Sequence, residues 1–169
     1  MDEMMSDTYV ECLVKAKAPA VYKVLQVLCI ALTVVFAISM LFISYIGLLL
    51  AVASGVGAYF AGLQASVEYE YLYLDRELSV DKVLAQTKRK RVATYSLNRM
   101  EVVAPFHSYH LDNYKNRQVK VRDFSIGQEL KPDLRYAIYY EGGEKIIFSP
   151  SQEMVKALKN AAPRKVFTD

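Results

Sequence analysis

"VEYEYLYLDRELSVDKVLAQTKRKRV", residues 67–92, decides the fold. Val67, Tyr69, Tyr71 and Tyr73 fall on one side of an extended chain, and Glu68, Glu70, Leu72 and Leu74 on the other. Alternation with period two, carried by β-branched and aromatic residues, predicts a half-buried strand. "DRE" predicts a short connection, "LSVDKVLAQT" a second strand, and Val92 to Leu97 a third. This reading leaves Lys88, Arg89, Lys90 and Arg91 in a turn with side chains splayed outward. The strand pattern also begins abruptly, directly after an apolar block.

That block runs from Val24 to Val67, 44 residues without one Asp, Glu, Lys, Arg or His. As one helix it would be about 66 Å long, twice the hydrocarbon thickness of a bilayer. It must fold back. Two spanning helices are predicted, 24–42 and 47–65, with "ISYI" supplying interfacial Ser44 and Tyr45 between them. A fully buried helical pair would need far more surrounding chain than 169 residues provide. A cleaved leader has a much shorter apolar region, so the segment is read as retained. Lys15, Lys17 and Lys23 flank the first span, and Arg76, Lys82 and residues 88–91 follow the second. Cations near helix ends stay inside, which predicts a multi-pass cell-membrane protein with both termini cytoplasmic.

The second span carries small residues at four-residue spacing, among them Ala51, Gly55, Gly57, Ala58 and Gly62. Small residues let helices approach closely in lipid. The partner is either the first span of the same chain or another subunit. Residues 1–23 form a cytoplasmic segment. Tyr9, Leu13 and Ala16 stand at helical spacing, so an interfacial helix and a frayed terminus are both open.

Downstream, "MEVVAPF" (100–106), "QVKVRDFSI" (118–126), "LRYAIYYE" (134–141) and "EKIIFS" (144–149) read as further strands. Gly142-Gly143 predicts a hairpin, since both residues can take positive φ. Ser149 as N-cap, Pro150 at the first helical position and Gln152 three residues past the cap predict a closing helix over 150–162. Its apolar stripe, Met154, Val155, Leu158 and Ala162, needs a surface to cover. The expected class is α+β: a two-helix transmembrane hairpin, then an antiparallel barrel or sandwich of about seven strands over 67–169, capped by that helix.

About seven short strands followed by one capped helix resemble a pleckstrin-homology (PH)-like domain. The bacterial PH-like domains beside paired transmembrane helices look closest, through "YLYLDRELSV", the basic "KRKR", "LNRMEVVAP" and "FSPSQEMVKAL". The whole chain also resembles a family of small bacterial two-span membrane proteins carrying "LSVDK", "DFSIGQE" and "PRKVF", a domain of unknown function. The cations here follow the second strand rather than filling the first hairpin, unlike phosphoinositide-binding PH domains.

Lys88–Arg91 is the leading contact candidate, for anionic lipid headgroups or another ligand. A protein partner or homo-oligomer is the remaining expectation. Nucleic acid is not expected, because the net charge is only +3. His107, His110 and Asp112 in "HSYHLD" fall short of a metal motif, and Cys12 and Cys29 form no CxxC pair. No metal, other cofactor or catalytic constellation is expected. The function read from the sequence is a membrane-anchored, non-enzymatic binding or assembly module. The alternative is an accessory subunit of a membrane transport or secretion complex, associating through the small-residue face of the second helix.

Overall fold

The computed structural model describes residues 9–16, 20–40, 45–126 and 134–169. The uncharged block folds as two helices, α1 (Ala20–Met40) and α2 (Ile46–Ala65). They start slightly earlier than the apolar pattern places them, α1 directly after Pro19. The connection, including Ser44, lies outside the described residues. The two helices have mean hydropathies of 2.3 and 1.9, and 0% and 11% of their most apolar windows are buried. Large apolar side chains such as Val27, Val35, Val52 and Phe60 stand exposed.

The terminal segment corrects both alternatives for residues 1–23. Over the described residues 9–16 it is neither an interfacial helix nor frayed: Val10–Lys15 form a strand, β1, while residues 1–8 and 17–19 lie outside the described residues. Val10, Cys12 and Val14 also alternate as a strand requires, and the available partner decides. Val10, Cys12 and Val14 pack on the core while Glu11, Leu13 and Lys15 face away. β1 runs antiparallel to β2 (Val67–Leu74), in register from Val10↔Tyr73 to Lys15↔Glu68. The hairpin of α1 and α2 is thus inserted between two paired strands. The β-domain is not confined to 67–169.

By internal contacts the chain forms two compact units. One comprises residues 1–16, 68–82 and 89–169, the other residues 17–67 and 83–88. In the second unit, α2 leads into β2 through Ser66 alone. The carbonyl of Ser66 accepts the Ala85 N–H at 2.8 Å.

The first sheet has the order β1-β2-β3-β4, with β3 Glu77–Leu84 and β4 Lys88–Ser96. Both hairpin turns use non-glycine residues at positive φ, Asp75 (49°) with Arg76 (63°), and Ala85 (47°) with Gln86 (58°). The second turn closes with Thr87 N–H donating to the Leu84 carbonyl at 3.1 Å. Chain reversal therefore happens at Ala85-Gln86. The four cations lie in strand β4, not in the expected turn.

The second sheet has the order β5-β7-β8-β6, with β5 Met100–Pro105, β6 Lys120–Asp123, β7 Tyr136–Tyr140 and β8 Glu144–Phe148. β6 pairs with β8 in parallel, so this sheet is mixed rather than wholly antiparallel. Gly142 and Gly143, at φ 95° and 79°, make the β7–β8 turn as expected. Among the described residues there are eight strands, and no ladder joins the two sheets into a closed barrel. The edge of β5 is covered by the C-terminal segment: Val103 N–H donates to Lys165 O, and Phe167 N–H to Val103 O, each at 2.8 Å.

Between the sheets lies a core of Tyr71, Leu78, Val80, Leu97, Met100, Ile138, Ile146 and Phe148. Helix α3 (Gln152–Ala161) contributes Met154 and Leu158 to it. The N-cap is Ser151, whose Oγ accepts the Met154 N–H at 3.2 Å, two residues past the expected Ser149. Ser149 is committed elsewhere: its Oγ accepts from Ile126 N–H and its own N–H donates to the Tyr71 hydroxyl. Tyr71, fully buried, donates in turn to the Phe124 carbonyl at 2.5 Å. Arg76 Nη2 donates to the Ala161 carbonyl at 3.1 Å, placing a cation at the negative end of α3.

Candidate functional site

The basic strand splits its four cations into two kinds. Arg89 Nη2 meets Glu70 Oε1 at 2.9 Å and Arg91 Nε meets Asp81 Oδ1 at 3.0 Å. Lys88 and Lys90 are exposed and have no ion-pair partner among the described residues. Lys88 belongs to the same compact unit as the two helices, together with the turn that precedes it.

Glu70 is the unusual partner. It sits on the face of β2 opposite the tyrosines, yet only 5% of it is exposed. Burial, followed by a hydrogen bond shared with Glu11, pushes its carboxyl up to about 7, against the pull of Arg89. Glu11 is held below its usual range, first by that same hydrogen bond and then by Tyr9, whose hydroxyl donates to Glu11 Oε2 at 2.7 Å. Two carboxyls that share a site separate in this way, one keeping the proton and the other the charge. Glu70 therefore gives up its proton less readily than Glu11, beside the basic strand.

The small residues of α2 are placed against α1. A Cβ added at Gly62 would lie 2.8 Å from Gln26 Nε2, and at Gly57 3.6 Å from Cys29 Sγ. At Gly55 it would lie 3.8 Å from Thr33 Cγ2. Ala51 and Ala58 are buried, and Thr33 Oγ1 and Ser54 Oγ are 2.9 Å apart across the pair. Gly47, also small, is the tightest: its added Cβ would come within 2.8 Å of Ser39 Oγ and 3.0 Å of backbone atoms.

The histidine segment is a 3-10 helix, Tyr109–Tyr114, started by Ser108 accepting the His110 N–H at 3.3 Å. His110 stacks on Phe167 with ring centroids 3.7 Å apart, and His107 meets the edge of Phe106. Asp112 pairs with Lys115 at 2.6 Å. The three side chains are directed to different neighbours. In "DFSIGQE", Asp123 Oδ1 accepts from Ser125 N–H and Oγ, closing a local turn. Residues 127–129 of that motif lie outside the described residues.

Two further features escaped the sequence reading. A cleft of about 290 Å³ opens between the start of β7 and α3, lined by Tyr136, Gln152, Val155, Lys156 and Thr168. Arg135 is 3% exposed, and its Nε and Nη1 lack any hydrogen-bond partner among the described residues. No residue spacing announces either one, because both depend on which strands meet.

The architecture now described comprises two four-stranded sheets, a buried aromatic core and one C-terminal helix laid on it. No curated protein and no solved structure matched the chain. A family model described as "Bacterial PH-like domain (DUF6106)" matches residues 6–168, a span that takes in β1, the helical hairpin and the whole of both sheets. The chain therefore belongs to this bacterial PH-like domain family, whose function is unknown.

Proposed function

We propose that the chain is a membrane-anchored, non-enzymatic binding or assembly module that presents its PH-like domain at the cytoplasmic face of the bilayer. The pairing of β1 with β2 carries this reading. β1 precedes α1 and β2 follows α2, yet they share one sheet in continuous register. Both ends of the hairpin must then emerge on the same side, as they do when two helices cross and return. The exposed apolar faces of helices 21 and 20 residues long support crossing. Clusters of Lys and Arg after the second helix support a cytoplasmic domain.

Lys88 and Lys90 are the contacts of this module with anionic lipid. Each cation near the surface contributes about 1 kcal/mol, so two free lysines supply roughly 2 kcal/mol of attraction. Arg89 and Arg91 are already engaged by Glu70 and Asp81 and contribute less. Association of a larger complex through α2 is the weaker reading. Gly55, Gly57 and Gly62 are turned toward α1 within this chain.

Thiol labelling tests the arrangement. In a background lacking Cys12 and Cys29, Tyr45→Cys should react with a membrane-impermeant reagent on intact cells, and Glu153→Cys only after lysis. Labelling of Glu153→Cys in intact cells would sink the orientation. Lipid contact predicts that Lys88 and Lys90 become less reactive to amine modification in nanodiscs containing phosphatidylglycerol than in pure phosphatidylcholine. Equal reactivity in both would remove it.

A further inference from the structure

Arg135, just before β7, is buried, and Lys145, on β8, is half-buried. Both direct their charge at one ring: Arg135 Cζ lies 4.3 Å from the Phe106 centroid and Lys145 Nζ 5.0 Å from it. Lys145 Nζ also lies 5.3 Å from the Tyr139 ring. Backbone pairing fixes this meeting, since Phe106 N–H donates to the Arg135 carbonyl at 2.8 Å and Tyr139 pairs with Lys145. Neither cation has an ion-pair partner among the described residues, and Nε and Nη1 of Arg135 have no acceptor there. A buried charge without a partner is costly, and contact with an aromatic face compensates only part of that cost. Native buried polar groups are almost always satisfied, so two orphaned guanidinium nitrogens call for an acceptor.

We propose that Arg135 and Lys145 form a binding site for a small oxyanion, a carboxylate or phosphate, closed in this structure by the Phe106 ring. The ring is half-buried and marks the space the ligand takes. An oxyanion that accepts from Nε and Nη1 must lie in the plane of the guanidinium, within hydrogen-bond reach of both nitrogens. Rotation of Phe106 away from the sheet opens the site. The unpaired nitrogens then receive charge-assisted hydrogen bonds, and Lys145 adds a second cation from the solvent side. This site is separate from the basic strand and does not depend on lipid contact there.

The experiment uses the full chain in detergent micelles, with ¹⁵N detection of arginine side-chain Nε–H groups. The Arg135 signal is assigned by its disappearance in Arg135→Lys. Inorganic phosphate, sodium acetate and sodium chloride are titrated separately at matched ionic strength. A saturable shift of the Arg135 signal with phosphate or acetate, absent with chloride, is expected. The more effective anion tells a tetrahedral from a planar ligand. Lys145→Gln should weaken binding about tenfold. A flat response to both oxyanions, an equal response to chloride, or unchanged affinity in Lys145→Gln would overturn the site. Assignment and titration both rest on chains that keep a cation at position 135.

Discussion

Arg89 reaches across β3 to place its Nη2 2.9 Å from Glu70 Oε1, joining the edge strand β4 to β2 on the face of the sheet away from the core. Glu70 in turn shares a hydrogen bond with Glu11 of β1. One charged row therefore links β1, β2 and β4, and its middle member titrates near neutrality.

Stability of the β-domain should fall as pH rises through about 7. Glu70 holds its proton in the folded chain to about 7, whereas an ordinary carboxyl releases it near 4.5. The folded state thus binds the extra proton. Its advantage is complete below the ordinary value and is lost as pH passes the folded one. Glu11 shifts the other way, and its contribution changes only below its ordinary range. Thermal melts between pH 5 and 8 should lose roughly 1–3 kcal/mol, and Glu70→Gln should flatten that slope. An unchanged slope in the variant would place the titration elsewhere.

Tyr71→Phe should cost about 1–3 kcal/mol, read as a lower denaturation midpoint with unchanged m-value. It removes one hydroxyl that serves the Phe124 carbonyl and the Ser149 N–H together. Both backbone groups would be left buried without a partner. Tyr136→Phe, at a half-buried ring edge, should cost less.

Replacing Ala85-Gln86 with Asn-Gly should stabilise the β3–β4 hairpin by about 0.5–1 kcal/mol. Both residues sit at positive φ, where Asn and Gly fit with less strain. Denaturant titration of the double variant measures the gain, and a loss would show that Ala85 or Gln86 makes a contact worth more than the relief.

Close packing of the helices predicts an ordered response at the glycines. Gly47→Ala must displace backbone of α1 and should loosen the hairpin, raising reactivity of Cys29 toward a thiol reagent. Gly57→Ala meets Cys29 Sγ at an ordinary 3.6 Å and should leave the hairpin intact. Equal behaviour of the two variants would contradict the packing.

The strands downstream of the helices were legible because Tyr69, Tyr71 and Tyr73 alternate without interruption over a half-buried surface. The helices were legible because uncharged runs of that length have few alternatives. β1 was not, because six residues support either period and the partner that selects one lies beyond the helical hairpin. The basic strand was misplaced for a chemical reason: a hairpin turn normally announces itself with Gly or Asn, and Ala85-Gln86 carries neither. Ser149 displays every local sign of an N-cap, but its hydroxyl and N–H are taken by Ile126 and Tyr71. Glu70 and Arg135 needed the register itself. Nothing within "VEYEYLYL" distinguishes a solvated glutamate from one enclosed by Glu11 and Arg89.

The insertion of the helical hairpin between β1 and β2 sets an order of events during synthesis. Strand β1 leaves the ribosome first, but residues 16–66 must follow before its partner begins. At about 5–20 residues per second that interval is about 3–10 s. Throughout it the apolar edge of Val10, Cys12 and Val14 is unpaired, and it is closed only when α1 and α2 have brought the chain back to the same side. A chain in which α1 and α2 fail to fold back would leave β1 and β2 apart and the sheet one strand short. Closure of the β1–β2 pair therefore reports that the helical hairpin has folded back, and degradation of chains with an orphaned β1 would remove the failures.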